Sequence, residues 1–490
     1  ARFVRSINAG RSDSTEVPGV ERQDQDEQAA ECVISETQSC LITSFKQDAW
    51  TVIDPSRKGS PFKRESNLRC LDGSSFKFKF YRGSSKRLLV FMMGGGACWN
   101  KWSSQGLGIP RVFTTGPMCQ PNLGGDLSFA RGPLNTSNPR NPYRHHSILL
   151  LPTCSGDGFG GDAVQEYRVE QLNSSSPFVH QKGYHHADAA LQWLQGNRDF
   201  SREVELDDFS LQGCSSGAIG VQIWANELLS RFKHRSSRVV VDSYAGLFPQ
   251  ERQAEILRTW GLCDLPILSP EQQAECSSPS GLFILNLTEN ALRNHPSTQF
   301  IGVNAKKDRI QRLLHTVLQY QTELDVVKGI LTKGMGAYGP MGGIAFYKQL
   351  NEQILRRYAA YDNWQSFLVE GSAHCFVGEE FGQRTSVYVD GSWYTSALGW
   401  LPPVSTGGEG ERAVADGDTD STNGTGSAEG SDVTVSGDGE MTPGESPVLQ
   451  LAADVEHIND GSAPPFICTG ELTDPETAGN STTYCDSSLR

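Results

Sequence analysis

Ser215 stands in Gly213-Cys214-Ser215-Ser216-Gly217, between a strand-like run, Phe209 to Gln212, and a helix-like run from Ala218 to Phe232. A sharp strand-to-helix turn built of small residues pushes a serine hydroxyl out above a sheet, where it can attack an ester carbonyl. Such a hydroxyl is a poor nucleophile near neutral pH, so a histidine must take its proton and a carboxylate must hold that histidine in the right tautomer. Of the histidines downstream, His315 lies in an amphipathic helical run, His295 precedes Pro296 before a strand, and His457 lies far toward the C-terminus. His374 instead follows the strand-like run Phe367 to Val369 by a short Gly371-Ser372-Ala373 turn, so it is the candidate base. Two aspartates compete as the acid. Asp308 follows the run Phe300 to Val303 and precedes a helix, where it could also cap that helix; Asp242 ends Val239-Val240-Val241, one strand earlier. The order Ser, acid, His with the acid on the later strand favours Asp308.

These residues need a scaffold that brings strand ends together. Short apolar runs at Leu88 to Met93, Ile148 to Leu151, Phe209 to Leu211, Val239 to Val241, Phe300 to Val303 and Phe367 to Val369 read as buried parallel strands. Helical patterns intervene at Tyr184 to Leu194, Ala218 to Phe232, Ile310 to Leu324 and Ile344 to Ala359. The alternation implies an α/β fold of the α/β-hydrolase type, a mostly parallel central sheet covered by helices on both faces, with reactive groups at the carboxyl ends of the strands. Phe76, Phe78 and Phe80 alternate with lysines, which predicts a half-exposed antiparallel strand at the sheet edge. The run Arg87 to Met93 enters Gly94-Gly95-Gly96-Ala97-Cys98-Trp99, a glycine-rich strand end that can aim backbone N–H groups at an oxyanion.

Composition bounds the rest. Of 490 residues, those from 404 to 447 are almost wholly Gly, Ser, Thr, Asp, Glu and Ala and are expected to form a disordered acidic linker. The expected organisation is a polar N-terminal extension over 1–48, one catalytic domain over 49–403, the linker, and a C-terminal segment of unknown function over 448–490. A net charge of −14 argues against nucleic-acid and anionic-membrane partners. No apolar run is long enough to span a membrane. Twelve cysteines without zinc-type spacing, Cys263 and Cys276 among them, suit loop-closing disulfides in an oxidising compartment. Glycosylation sequons at Asn135, Asn173, Asn286, Asn423 and Asn480 point the same way. The sequence begins at Ala1 without a methionine and shows no signal peptide, so a processed or truncated product whose targeting segment is out of view, secreted or in a cell wall, is expected.

The ordered segments Cys70-Leu71-Asp72-Gly73-Ser74, Gly94 through Trp99, Asn141-Pro142-Tyr143, Cys154-Ser155-Gly156-Asp157, Gly213 through Gly217, Asp242-Ser243, Asp308 with Gln311, and His374-Cys375 resemble the pectin acetylesterase and Notum family of extracellular carboxylesterases. The resemblance implies Ser215 as nucleophile, Asp308 as acid, His374 as base, and an oxyanion hole of the backbone N–H groups of Gly95, Gly96 and Ser216. It also implies disulfides among the family cysteines, with Cys98 or Cys154 stapling loops near the site. Trp99 and Asp157, at strand ends, are candidate substrate contacts; their alternatives are a packed aromatic and a loop-fixing carboxylate. The chain departs from the family in having Ser216-Gly217-Ala218 where Ala-Gly-Gly is common, no tryptophan at Gly96-Ala97, and Thr153 where tyrosine is frequent. The expected activity is removal of a short acyl group, acetyl first, from an acylated polysaccharide such as pectin, by a monomer that needs neither cofactor nor metal. Removal of a fatty acyl group from a protein, and a catalytically dead binding module, are the alternatives.

Overall fold

The computed structural model describes residues 29–56, 67–83, 86–105, 117–123, 131–166, 178–249, 252–278, 283–319, 341–369 and 371–377, with the backbone of three further strands. The expected linker and most of the flanking termini lie outside these residues. The strands are β1 (Ala30–Val33), β2 (Trp50–Asp54), β3 (Phe78–Tyr81), β4 (Arg87–Met92), β5 (Ser147–Leu151), β6 (Ala163–Glu166), β7 (Phe178–Gln181), β8 (Leu206–Cys214), β9 (His234–Asp242), β10 (Gln299–Ala305), β11 (Trp364–Val369), β12 (Arg384–Val389), β13 (Ser392–Ala397) and β14 (Ile467–Thr469). The helices used below are α1 (Lys101–Gln105), α2 (Gly183–Gly196), α3 (Ser216–Arg231), α4 (Arg252–Trp260), α5 (Pro270–Cys276), α6 (Phe283–Asn294) and α7 (Arg309–Val317).

Ten strands form one sheet in the order β1-β2-β3-β5-β4-β8-β9-β10-β11-β14. The six from β5 through β11 in that order run parallel, and β3 and β14 flank them antiparallel. The protein is therefore an α/β fold with a mostly parallel sheet, as its apolar runs predict.

Alternation along each parallel strand feeds two separate cores, because successive side chains point to opposite faces. Leu88, Val90 and Met92 of β4 join one cluster with α2, α3, α4 and α6, while Leu89 and Phe91 join another with Ile148, Leu150, Val240 and Ile301. Among the described residues, every α-helix packs on the first cluster; on the second face lie segments carrying Leu134, Tyr143, Phe376 and Val377.

Other expectations need correction. Phe76, Phe78 and Phe80 are fully buried, and β3 lies inside the sheet between β2 and β5. The lysines between them mislead because β1 and β2 extend the sheet beyond β3. Those strands also draw residues assigned to the N-terminal extension into the body: β1 pairs with β2, Ile34 and Ile42 are buried, and Cys32 bonds to Cys40. The segment 252–294, for which no helices were expected, supplies α4, α5 and α6. The Asn286 sequon falls on α6, where the side chain is held by Glu275 and Arg357 and Thr288 is buried, so it is packed rather than presented.

Candidate active site

The carboxyl ends of five neighbouring parallel strands, β4, β8, β9, β10 and β11, converge on one place. Ser215 follows β8 and immediately precedes α3, with φ 56° and ψ −125°. This backbone conformation costs a non-glycine residue about 1–3 kcal/mol and persists only where the surroundings hold it. The glycines make that hold possible. A Cβ on Gly217 would lie 2.1 Å from the Met92 carbonyl oxygen, and one on Gly213 would lie 2.5 Å from the Gly217 oxygen, so α3 can approach β4 and β8 only with hydrogen at both positions. On the β4 side, a Cβ on Gly94 would lie 3.0 Å from Cβ of Ser215. The Ser215 N–H donates to the Asp242 carbonyl at 2.9 Å, tying the turn to the next strand.

His374 reaches the site on the loop after β11. Its Nδ1 lies 2.9 Å and 3.1 Å from the two carboxylate oxygens of Asp308, which is fully buried. Asp308 serves two roles at once, since its Oδ1 also accepts from the Gln311 N–H as the N-cap of α7. Gln311 completes the support, donating from Nε2 to Asp308 Oδ2 and Asn304 Oδ1 and accepting the Ala245 N–H. Burial alone would lower the His374 pKa. The charge and hydrogen bond of Asp308, helped by the charge of Asp242, overcome burial and leave it above the usual 6.5. The far nitrogen, Nε2, is buried and has no hydrogen-bond partner among the described residues.

Asp242, the rival acid, does different work. Its Oδ2 accepts the N–H groups of Phe376 and Val377 at 2.6 and 2.7 Å, and its Oδ1 accepts the Ser243 hydroxyl, which in turn takes the Cys375 N–H. Asp242 thus clamps the loop that carries His374, and Asp308 holds the ring. Burial pushes the Asp242 carboxyl up to about 6 despite these donors. Ser215, Ser243 and Cys375 all have positive φ, so three non-glycine residues in the left-handed region meet at this one place.

A disulfide joins Cys214 to Cys375, linking the neighbour of Ser215 to the neighbour of His374 across 161 residues of chain. Both sulfurs lie within 4.8 Å of an imidazole nitrogen; being oxidised, they offer no thiolate to a metal. Sequence reasoning quoted both cysteines in motifs but could not pair them. The Cys263–Cys276 pair forms as expected. Cys98–Cys119 and Cys70–Cys154 staple the loops after β4 and β5.

The oxyanion candidates are placed unevenly. Ser216 opens α3, where the first N–H groups of a helix lack intrahelical partners. Gly96 has φ 73°, and a Cβ there would lie 2.0 Å from the Met118 oxygen. The Gly95 N–H, expected to face an oxyanion directly, instead donates to the Ser216 hydroxyl at 3.0 Å. The two candidate substrate contacts take up structural positions. Asp157 is fully buried and accepts from the Ser155 hydroxyl and from the N–H groups of Phe159 and Gly183, which matches the loop-fixing alternative. Burial raises its pKa to about 6. Trp99 is 5% exposed and packs edge-on against Trp102.

A parallel sheet with a strained serine between β8 and α3 and an Asp–His pair on later strand ends is the framework of an α/β hydrolase. Residues 61–264 match the family model described as pectinacetylesterase, which bears out the resemblance carried by the motifs and supports an ester hydrolase. Among solved structures, the chain is similar to the Wnt deacylase Notum from Drosophila in two crystal forms. One has 16% identity over 66% of this chain and 87% of that one, and the other 17% over 64% and 84%, both with a TM-score of 0.38. No curated protein matches the chain.

Proposed function

We propose that the protein is a secreted serine carboxylesterase that removes a short acyl group, acetyl first, from a polysaccharide such as pectin. The observation that carries the reading is the hydrogen-bonded Asp308–His374 pair, whose loop is tied by a disulfide to the turn bearing Ser215. In this reading, Ser215 attacks the ester carbonyl and passes its proton to His374 Nε2, while Asp308 holds Nδ1–H and steadies the imidazolium. The carbonyl electron pair moves onto oxygen, and backbone N–H groups at Gly96 and Ser216 stabilise that charge. Collapse expels the sugar alkoxide with the proton from His374, and water then releases the acid from Ser215 by the same steps. Ser215 and His374 share no hydrogen bond here, and such contacts commonly tighten only with substrate bound.

Five disulfides among the described residues support an oxidising compartment. We propose residues 404–447 as a linker to a C-terminal segment whose strand β14 pairs with β11. Hydrolysis of p-nitrophenyl acetate and octanoate by wild type and Ser215→Ala tests the function. The proposal expects Ser215-dependent turnover that favours acetate. A clear preference for octanoate would move the reading to a long-chain deacylase, and Ser215-independent turnover would overturn the mechanism.

A further inference from the structure

The residue after Ser215 is a serine where the family commonly has alanine, and its hydroxyl takes the N–H of Gly95, one of the residues expected to line the oxyanion hole. Ser216 is 3% exposed. Its Oγ accepts the Gly95 N–H at 3.0 Å, and among the described residues its own proton has no acceptor. Gly95 has little freedom to turn elsewhere: a Cβ there would lie 2.2 Å from Thr153 Cγ2, and its carbonyl accepts the Gln120 N–H at 2.7 Å. The neighbouring Ser216 N–H, at the first position of α3, is one of the donors already assigned to the oxyanion. A buried hydroxyl that accepts a hydrogen bond but donates none is out of balance, because an unspent buried donor is costly. A negatively charged oxygen beside the helix start would restore that balance.

We infer that the Ser216 side chain is a third oxyanion donor, a relay in which Gly95 N–H holds the hydroxyl oxygen and the hydroxyl proton points at the oxygen of the tetrahedral intermediate. This inference rests on the serine-esterase reading above. No proton is transferred: the ester carbon bonds to Ser215 Oγ, the carbonyl pair moves to oxygen, the Ser215 proton goes to His374, and the Ser216 O–H only donates. The Gly95 N–H polarises the hydroxyl and strengthens its donation, since chained hydrogen bonds reinforce one another. Gly95 therefore acts at second hand, which differs from the direct donation that its motif predicts.

The test compares wild type, Ser216→Ala and Ser215→Ala with p-nitrophenyl acetate and with phenylboronic acid, which forms a tetrahedral adduct on an activated serine. Loss of one oxyanion donor costs about 10²–10³ in kcat. Ser216→Ala releases the Gly95 N–H, so the expected loss is smaller, about tenfold to a hundredfold in kcat with KM nearly unchanged, and boronate affinity should weaken by a similar factor. Thermal melting checks that the variant is folded. In a crystal structure of the wild-type boronate adduct, Ser216 Oγ should lie within hydrogen-bond distance of a boronate oxygen, a readout that needs no variant. Unchanged or raised kcat in folded Ser216→Ala, or a boronate oxygen held by backbone amides alone, would overturn the relay. Wild type that shows no Ser215-dependent turnover would instead overturn the esterase reading beneath it.

Discussion

Replacing Asp308 by Asn separates holding the imidazole from capping a helix. Asparagine is as good an N-cap as aspartate, so the Gln311 N–H keeps an acceptor and α7 should stay in place. At His374 the change is severe. Nδ1 now lies 2.9 and 3.1 Å from two carboxylate oxygens, and an amide that turns its NH2 toward the ring favours the tautomer with the proton on Nε2, which cannot accept from Ser215. The corresponding change in a serine protease triad lowers kcat about 10⁴-fold, or about 5 kcal/mol of barrier. The pH profile should move as well. Asp308 is the chief reason the His374 pKa stands above 6.5 against the opposing effect of burial. The neutral ring is the active form, so wild-type activity falls as the pH drops through that raised pKa. In Asp308→Asn, the acidic limb of the residual activity should shift to lower pH. The assay is kcat/KM for p-nitrophenyl acetate from pH 4 to 9, with thermal melting as a folding control. A folded Asp308→Asn within about tenfold of wild type would refute the assignment. Asp242→Asn should cost clearly less, since its amide oxygen can still accept from the His374 loop; the reverse ranking would make Asp242 the acid.

Other consequences are open to measurement. Cys214→Ala with Cys375→Ala should lower activity by loosening the Ser215 and His374 segments, and the 161-residue separation sets a ceiling of about 5 kcal/mol of lost stability, against about 3 for the 13-residue Cys263–Cys276 pair. Equal denaturation midpoints for the two disulfide variants, with full activity, would contradict this. Gly217→Ala should destabilise by about 1–3 kcal/mol or more, because its methyl would sit 2.1 Å from the Met92 oxygen; an unchanged melting temperature would show that α3 can retreat from β4 without cost. His186 is buried against Phe76, and burial lowers its pKa to about 3, so the unfolded chain binds the extra proton between about 3 and 6.5 and stability falls as pH drops through that window. About 2 kcal/mol of its contribution should be gone at pH 5 relative to pH 8. Asp157 and Asp242, both raised to about 6, oppose this by gaining protons on folding, so the test is the difference between wild type and His186→Phe, whose stability should rise relative to wild type toward pH 5.

The parallel strands were legible because each is a short apolar run that ends in a residue with chemistry to do: Met93 before the glycines, Cys214 before Ser215, Asp242 itself, and the runs before Asp308 and His374. Ser215, Asp308 and His374 could be named as candidates because each sits just past such an end. The sheet margin was not legible. Lysines beside Phe78 and Phe80 look like an exposed edge until β1 and β2 are seen to flank them, and that pairing depends on contacts far along the chain. For Asp157 the sequence left a substrate contact and a loop-fixing carboxylate both open, because one sequence does not say that Gly183 and Ser155 donate to its oxygens. Pairing Cys214 with Cys375 required the fold, since any two of the cysteines are equivalent on paper. The Ser216 substitution was visible as a departure, but its bond to Gly95 needed geometry.

The central claim, that Ser215 is an activated nucleophile, is tested most directly by intact-mass analysis after treatment with a fluorophosphonate, on wild type and Ser215→Ala. The account predicts one adduct on the wild type and none on the variant. A folded wild type that takes no label, or a variant labelled to the same extent, would contradict it.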